Sequence, residues 1–502
     1  MLMVVIIIAK VIGMLRDVVL ANYFGTSYIS DAYLIASSVP TLLFYFIGHA
    51  LSTAYIPMFN RVRQAQGKKC AEIYTDHLIS AALLLCTVIA AVLLIWPNAV
   101  VKVFAVGFDD KTAAIAARFI RIGTSSIYLM TFVHVFGGYL QANGQFLVPA
   151  AISVPRNIVI ILSIIIAAAI HIDILGWGLL FAYIAELLLL LPFVLKKGYC
   201  YKPTWNLKDT YMEETMYLIL PILLGTCVGQ VNKIVDRSLA STVTEGGVSA
   251  LSYASILNTA VQEVLVTGII TVLFASCAEL VVKDEHEQVK DKLKNTINTM
   301  LFLLIPASVG IILLAEPIVK VVLCRGAFDD ASIRLTTGAL RCYTVGLVFL
   351  AVRDTLVKVF YAYKDTKTTT VTSIIAILLN LILNFVFVRF IGTNGLALST
   401  SLSAIFNSIA LYIFLKKKIG NFGTKENLIV GLKSVISSVV MACGVFIFSN
   451  LLHKVIFNEF GLLVLLVFFG MCIYLLMSCL LKTSPIVKWM KWREKNNEYK
   501  KV

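Results

Sequence analysis

Long apolar stretches alternate with short polar ones along the whole chain. A helix needs about 20 apolar residues to cross the hydrocarbon of a bilayer, and fourteen stretches approach or exceed that length. They cover residues 1–22, 28–58, 77–105, 117–141, 147–170, 174–195, 215–240, 248–282, 293–323, 331–363, 368–390, 394–415, 427–450 and 455–481. The segments between them are too short for a soluble domain. The pattern predicts an all-α, polytopic membrane protein with about fourteen transmembrane helices.

The first twelve stretches form two similar halves. Residues 16–37 align with 236–256 through a shared D-x-x-L-A that begins at Asp17 and Asp236, residues 139–146 align with 361–368, and Gly178 aligns with Gly395, at offsets of 219, 222 and 217 positions. A near-constant offset over three landmarks indicates an internal repeat. Substrate sites in such folds lie between the halves. We therefore predict two pseudo-symmetric six-helix lobes, 1–197 and 198–418, followed by two further helices and a basic tail at 419–502.

The charge pattern gives an orientation. The net charge is +15, and Lys and Arg concentrate in the loops after even-numbered stretches and in the C-terminal tail. The positive-inside rule then predicts that both termini are cytoplasmic. Because this placement accounts for the basic character, we expect no nucleic acid partner. The ten cysteines show no C-x-x-C spacing, so neither a disulfide framework nor a zinc site is expected.

Several charged residues lie inside the apolar stretches. A charge at the centre of a bilayer costs about 2.5–3.5 kcal/mol on insertion scales, so it is usually kept for a watery cavity or a charged partner. One group lies in the first two stretches, a second returns in the seventh, and two arginines lie elsewhere: Lys10, Arg16, Asp17 and Asp31; Lys233, Asp236 and Arg237; and Arg156 and Arg353. The pattern indicates one polar site built from both halves.

Two interpretations of these charges are open. They could pair with one another and hold the lobes together, or they could bind a ligand. Basic groups outnumber acidic ones in the set, and an excess of cations suits an anion such as a phosphate or carboxylate. No nucleotide-binding or metal-ligand motif is present. We therefore expect no cofactor, and transport driven by the membrane potential or by a coupled monovalent ion.

Four motifs resemble one known family. They are K-V-I-G-M-L-R-D-V-V-L-A-N-Y-F-G-T-S-Y-I-S-D-A-Y (10–33), I-V-D-R-S-L-A-S (234–241), S-A-L-S-Y-A (249–254) and R-D-T-L-V-K-V-F-Y-A-Y-K-D-T-K-T (353–368). The chain resembles the MurJ, or MviN, family of lipid II flippases, which belongs to the multidrug/oligosaccharidyl-lipid/polysaccharide exporter superfamily. The resemblance implies a bacterial plasma-membrane protein with fourteen helices, a central cavity between two lobes and a lipid-tail groove beside the last two helices.

The resemblance also carries site residues. Arg16, Asp17 and Asp31 match charged cavity positions of the family, and Lys10 matches a position that is usually arginine. Two expected arginines are missing. The family places one shortly after the proline of the second stretch, where this chain has Phe44-Tyr45, and another after the Y-A motif, where it has Ile256. Because both arginines are expected to serve the substrate's diphosphate, we expect Lys233, Arg237 or Arg156 to take part of that role.

The resulting hypothesis is a flippase that moves a polyprenyl-diphosphate-linked cell-wall precursor, lipid II first of all, by alternating access. Lys10, Arg16 and Lys233 would bind the diphosphate, while Asp17 and Asp236, with Asp31, would position those cations or sense a coupling ion. Membrane lipids and cell-wall synthesis proteins are the expected partners. The alternatives are a flippase for another lipid-linked polysaccharide, an ion-coupled drug antiporter, which the basic excess disfavours, and a transport-inactive scaffold.

Overall fold

The structure, a computed structural model, describes residues 2–204, 210–452 and 458–487. Over these residues the chain forms twenty α-helices and no strand, which confirms the all-α class. Eight helices are long and apolar enough to cross a membrane, and counting each bent pair as one span gives up to eleven. The protein is therefore a multi-pass membrane protein, and the count of fourteen spans stays a prediction.

The chain divides into two compact units. The first comprises residues 1–249 and 325–329. Its helices are α1 (Leu2–Phe24), α2 (Tyr28–Gln66), α3 (Lys68–Ile95), α4 (Pro97–Phe104), α5 (Asp110–Gly123), α6 (Ser126–Ala142), α7 (Leu147–Ala150), α8 (Ser153–Ala169), α9 (Ile174–Lys196) and α10 (Thr210–Ser241). Within this unit, α8 packs along α9 and α1, and α2 packs against α3, α5 and α6.

The second unit comprises residues 250–324 and 330–502. Its helices are α11 (Gly247–Leu265), which begins at the border, α12 (Thr267–Val282), α13 (His286–Leu313), α14 (Ala315–Leu323), α15 (Asp330–Val345), α16 (Leu347–Ala362), α17 (Thr366–Ile391), α18 (Thr393–Ile419), α19 (Thr424–Leu452) and α20 (Glu459–Leu480). Buried apolar side chains on α12, α13, α16 and α18 form its largest core. The last two helices pack on one another and on α13.

Every predicted apolar stretch coincides with a helix or with consecutive helices, and several stretches are broken. The stretch 77–105 is divided at Trp96, just before Pro97, a residue that suits the first turn of a helix. Three further stretches bend by 49°, 47° and 45° between α5 and α6, α11 and α12, and α15 and α16. The chain stays largely apolar around Val266 and Gly346, which is why the hydropathy pattern passes over those two bends, whereas the bend between α5 and α6 lies in the polar run Gly-Thr-Ser-Ser at 123–126.

The internal repeat is visible in where the helices begin. Lys68 and His286 begin α3 and α13, 218 positions apart, and Ile174 and Thr393 begin α9 and α18, 219 positions apart. Both spacings fall within the range of 217 to 222 positions predicted from the sequence landmarks. By the repeat, α10 opens the second half, but it packs against α2, α3 and α4 in the first compact unit. The domain boundaries at 197 and 418 describe the repeat and stay predictions.

Large apolar side chains cover much of the outer surface. On the helices that close the chain, Phe390 of α17 is 78% exposed and Phe468 of α20 is 66% exposed. Contiguous apolar surface of this extent is unfavourable in water and favourable against lipid. A set of polar side chains within the helices, including Asp17, Asn157 and Glu186, is buried instead, and this set is where a functional site has to be sought.

Candidate functional site

The charged pair on α1 is held by a residue of α8. The Arg16 guanidinium donates to both carboxylate oxygens of Asp17, with Nη2 and Nε to Oδ1 at 2.8 and 3.0 Å and Nη2 to Oδ2 at 3.0 Å. Its Nη1 donates to the Oδ1 atom of Asn157 at 3.1 Å. Asn157 is buried, and a Cβ on Gly13 of α1 would lie 3.4 Å from its amide nitrogen, so the two helices are closely apposed here. The asparagine therefore fixes the direction of the arginine.

A second charged pair joins α8 to α9. Arg156, next to Asn157 in the chain, has its Nη1 atom 3.5 Å from Oε1 of Glu186. The side chain of Glu186 is only 4% exposed. Two tyrosines link the pairs, because Tyr33 and Tyr183 each interact electrostatically with both Arg16 and Arg156. We call the five residues Arg16, Asp17, Arg156, Asn157 and Glu186 the arginine cluster.

In the arginine cluster the basic side chains are more exposed to the surroundings than the acidic ones. The side chains of Arg16 and Arg156 are 29% and 33% exposed, whereas those of Asp17 and Glu186 are 10% and 4% exposed. Each guanidinium therefore has a covered side facing a carboxylate and a partly open side. A guanidinium carries five N–H donors in a flat fork that matches phosphate and carboxylate oxygens. The cluster thus contains two partly exposed cations, each of which can engage an anion.

Asp31 lies apart from this cluster and caps a helix. Its carboxylate accepts hydrogen bonds from the backbone N–H groups of Gly246 at 2.9 Å and Ser249 at 2.7 Å. Both donors belong to the first turn of α11 or to the residue before it, where backbone N–H groups have no partner within the helix. The same location suits a negative charge because of the helix dipole. The structure therefore gives Asp31 an anchoring contact, and its predicted part in substrate binding stays a prediction.

Around Asp31, four loop glycines bring backbone segments into close contact. A Cβ on Gly25 would collide with the carbonyl of Ala327, one on Gly326 with that of Asn22, one on Gly246 with that of Thr26, and one on Gly107 with that of Ser241. Gly25 and Gly326 also have positive φ angles of 55° and 58°, which L-residues with side chains adopt at a cost. We call Gly25, Gly107, Gly246 and Gly326 the glycine clasp.

The glycine clasp has a two-fold pattern that follows the repeat. The loop before α5 contacts the end of α10, where the backbone N–H of Gly107 donates to the Ser241 hydroxyl at 3.0 Å. The loop before α15 contacts the end of α1, where the backbone N–H of Ala327 donates to the Asn22 carbonyl at 2.8 Å. Each half thus supplies the loop that contacts the first helix of the other half.

The remaining predicted residues are more scattered. Lys10 lies on an exposed part of α1, and Lys233 is exposed on α10. Asp236 accepts from the amide of Asn232 at 3.3 Å, one turn earlier on the same helix. Arg353 belongs to the second unit, where it donates to Asp354 at 2.7 Å. The structure therefore brings together Arg16, Asp17 and Arg156 among the predicted residues, and their role in substrate binding stays a prediction.

Two features were missed by sequence reasoning, although the signals were present. Glu186 is a single carboxylate in the apolar stretch 174–195, and such a residue is a candidate for function by default. The tripeptide Phe-Asp-Asp occurs at 108–110 and again at 328–330, a separation of 220 positions. It marks the two loops that carry the clasp contacts.

Among the described residues no group of three His, Cys, Asp or Glu side chains could hold a metal ion.

At the two positions where the resemblance leads us to expect arginine, apolar residues are packed. Phe44 is 2% exposed, and its ring lies 5.3 Å from that of His134. Ile256 is half-buried on α11. Neither position could supply a cation.

Comparison with known proteins gives the same result from sequence and from structure. A family model described as Lipid II flippase MurJ matches residues 20–468. A protein of Vibrio cholerae named Probable lipid II flippase MurJ is 27% identical over 419 residues, which is 81% of this chain and 80% of that protein. A protein of Thermosipho africanus named Lipid II flippase MurJ is 26% identical over 488 residues, which is 97% of both chains.

Solved structures lead to the same family. A structure described as Lipid II flippase MurJ, inward closed conformation, has a TM-score of 0.84 with 25% identity, covering 97% of this chain and 99% of that one. An inward-facing multidrug resistance MATE transporter of the MOP superfamily has a TM-score of 0.70 with 16% identity, covering 82% of this chain and 95% of the transporter. That second likeness concerns the fold alone. The chain belongs to the MurJ family of lipid II flippases.

Proposed function

We propose that this protein moves a polyprenyl-diphosphate-linked cell-wall precursor, lipid II in the first instance, across the plasma membrane. Relatives that this chain matches over most of their length are named lipid II flippases or probable lipid II flippases. The observation that carries the proposal is the arginine cluster, because it offers two partly exposed guanidinium groups in a membrane-spanning unit. The oxygens of a diphosphate are numerous enough to accept hydrogen bonds from both guanidinium groups.

Alternating access is supported by the glycine clasp. The loop-charge pattern predicts that the loops of the clasp lie on the external side. Its glycines bring the ends of α1 and α10 into close contact with neighbouring loops, and in this proposal those contacts close the external end. Transport would then require the clasp to open after the head group has entered from the cytoplasmic side. With the inside negative, outward movement of an anion is favoured by about 2.3 kcal/mol per charge per 100 mV.

The direct test combines complementation with reconstitution. The chain should restore growth to a bacterial strain depleted of its own lipid II flippase, and it should move lipid II in proteoliposomes. Arg16→Ala should abolish movement, and because it leaves the Asp17 carboxylate buried without its cation it should also lower the apparent unfolding temperature, so movement is compared at equal amounts of folded protein. Arg334→Ala, in an exposed position on α15, is the matched control and should move lipid II normally. Unchanged movement by Arg16→Ala would remove the arginine cluster from the mechanism.

A second candidate follows from the packed positions at Phe44 and Ile256. With two expected cations absent, the site could be adapted to a different lipid-linked glycan that carries the same diphosphate. Movement of another prenyl-diphosphate glycan in proteoliposomes, together with failure to complement, would favour this candidate. Failure to move any lipid-linked sugar would favour the transport-inactive scaffold.

A further inference from the structure

Glu186 is the buried carboxylate of the arginine cluster that pairs with Arg156. It lies in the apolar stretch of α9, and its side chain is 4% exposed. A carboxylate in such a location is costly unless a cation is paired with it through good hydrogen bonds. Its contact with Arg156, however, is a single one of 3.5 Å. Charge-assisted N–H···O bonds are usually about 2.7–2.9 Å, so this pair is held loosely.

The two arginines of the cluster differ in how completely they are engaged. Arg16 donates three hydrogen bonds to Asp17 and a fourth to Asn157, all between 2.8 and 3.1 Å. Among the described residues, Arg156 has the long contact with Glu186, a hydrogen bond with Tyr183 and an electrostatic interaction with Tyr33. Its Nε atom is buried and has no acceptor among the described residues. Arg156 is therefore the arginine with donors available for a new anion.

We infer that Glu186 is the displaceable counter-ion of Arg156, so that the diphosphate of the substrate binds by taking the place of the Glu186 carboxylate on the guanidinium. The inference rests on the proposed function and assigns a competitor within the same site. Glu186 neutralises Arg156 while the site is empty and opposes the bound anion once it is filled. A site that must release its cargo on the other side benefits from such a competitor, because it keeps binding from becoming too tight.

Removal of the carboxylate should make anion binding tighter. Purified protein in detergent is titrated with farnesyl diphosphate, a prenyl diphosphate without a sugar, in an isothermal titration calorimeter. We expect Glu186→Gln to lower Kd about tenfold, equivalent to about 1.4 kcal/mol. The matched control is Glu279→Gln, which removes a carboxylate from the exposed pair with Lys283 on α12 and should leave Kd unchanged.

The gain should depend on Arg156. In the double variant Arg156→Gln/Glu186→Gln, binding should be at least tenfold weaker than in Glu186→Gln, since the cation that benefits from the change is gone. Flipping by Glu186→Gln in proteoliposomes should show a lower KM together with a lower kcat, because release becomes slower. A residue with a purely structural role would not lower KM.

The outcomes separate this inference from the proposed function. If folded Glu186→Gln binds farnesyl diphosphate no more tightly than the wild type, the inference is wrong and the proposed function stands. If the wild type binds no prenyl diphosphate, the proposed function is wrong and the inference goes with it. If Glu186→Gln does not fold, Glu186→Asp replaces it in the titration. This variant keeps the negative charge and shortens the side chain by one methylene, which moves the carboxylate away from Arg156. That variant should show a smaller decrease in Kd, and an unchanged or higher Kd would overturn the inference.

Discussion

Two helical hairpins that the repeat makes equivalent hold their helices together in different ways. The hairpin of α8 and α9 in the first unit contains ions, with Arg156 and Glu186 facing one another across it. The hairpin of α17 and α18 in the second unit contains neutral groups. There Asn380 donates to the hydroxyl of Ser403 at 3.1 Å, and Asn384 donates to the side-chain carbonyl of Asn380 at 3.0 Å.

The difference shows which hairpin needs its polar groups for more than packing. Neutral hydrogen bonds between membrane helices stabilise their association without a large desolvation cost. An ion pair in the same position is costly to desolvate, and apolar packing could replace it without loss of stability. A charged hairpin is therefore weak evidence for stability and stronger evidence for a ligand. The second hairpin keeps its charge at its end instead, where Lys418 pairs with Asp365 at 2.6 Å.

The largest effect is expected from removing the cation of the charged hairpin. Arg156→Gln leaves the Glu186 carboxylate buried without its cation, and this should destabilise the protein by about 3 kcal/mol. The apparent unfolding temperature in detergent measures it. Lys283→Gln, which removes the cation from an exposed pair on α12, should leave that temperature unchanged. Equal changes in the unfolding temperature of the two variants would mean that burial of the Glu186 carboxylate without its cation has no extra cost.

A somewhat smaller effect is expected from placing a charge in the neutral hairpin. In Asn384→Asp the donor to Asn380 becomes an acceptor, and a carboxylate is created at a position that is 0% exposed. We expect a loss of about 2 kcal/mol in unfolding free energy at pH 7. Asn421→Asp, at an exposed cap whose side chain already acts as an acceptor for Thr424, is the control and should be neutral. Tolerance of Asn384→Asp would show that the second hairpin can also accommodate ions.

Removal of the support for Arg16 should have a moderate effect on stability and a clear one on binding. Asn157→Ala deletes the acceptor for Nη1 while leaving the pair with Asp17 intact. A hydrogen bond to a charged group contributes about 1.5 kcal/mol, so a comparable loss of stability is expected. The Kd for farnesyl diphosphate should rise severalfold because Arg16 is no longer held in one direction. A Kd equal to that of the wild type would limit Asn157 to a packing role.

The smallest effect concerns the charged end of the neutral hairpin. The Lys418 ammonium and the backbone N–H of Thr368 hold the pKa of the Asp365 carboxyl below its usual range. A lowered pKa contributes stability above the pKa of the unfolded chain, and this stability is lost as pH falls through the folded value. Asp365→Asn should therefore lower the apparent unfolding temperature slightly at pH 7 and by less at about pH 3, where part of the contribution is already lost. A difference of the same size at the lower pH would have another cause.

Much of this architecture is predictable from the chain because the membrane imposes it. Apolar length locates the helices, and the offsets of 217 to 222 positions found between landmarks return as spacings of 218 and 219 between helix starts. The breaks are not predictable in the same way. The bend after α15 lies at Gly346, which is pressed against Ser401 of α18, a contact that depends on tertiary packing.

The candidate site was predictable in its cations and not in its pairing. Charges inside apolar stretches identify Arg16 and Arg156 directly, since burial of a charge is costly. Helical periodicity, however, directs Arg16 about 100° away from Asp17. In the structure the long arginine side chain folds back to reach the neighbouring carboxylate. The hydrogen bond between Arg16 and Asn157 forms because α1 and α8 are neighbours in the fold. The identity of a single residue does not reveal which helices will pack together.

The glycine clasp has a consequence for the energy supply of the cell. At each clasp glycine a Cβ would collide with a main-chain carbonyl, so the loops approach one another more closely than larger residues would allow. Protons and metal ions cross membranes along files of water molecules. A carrier that admits a large sugar-bearing head group must avoid short-circuiting the gradients on which bacterial metabolism depends. In the transport cycle proposed above, the close approach of these loops would limit ion leakage while the external end is closed.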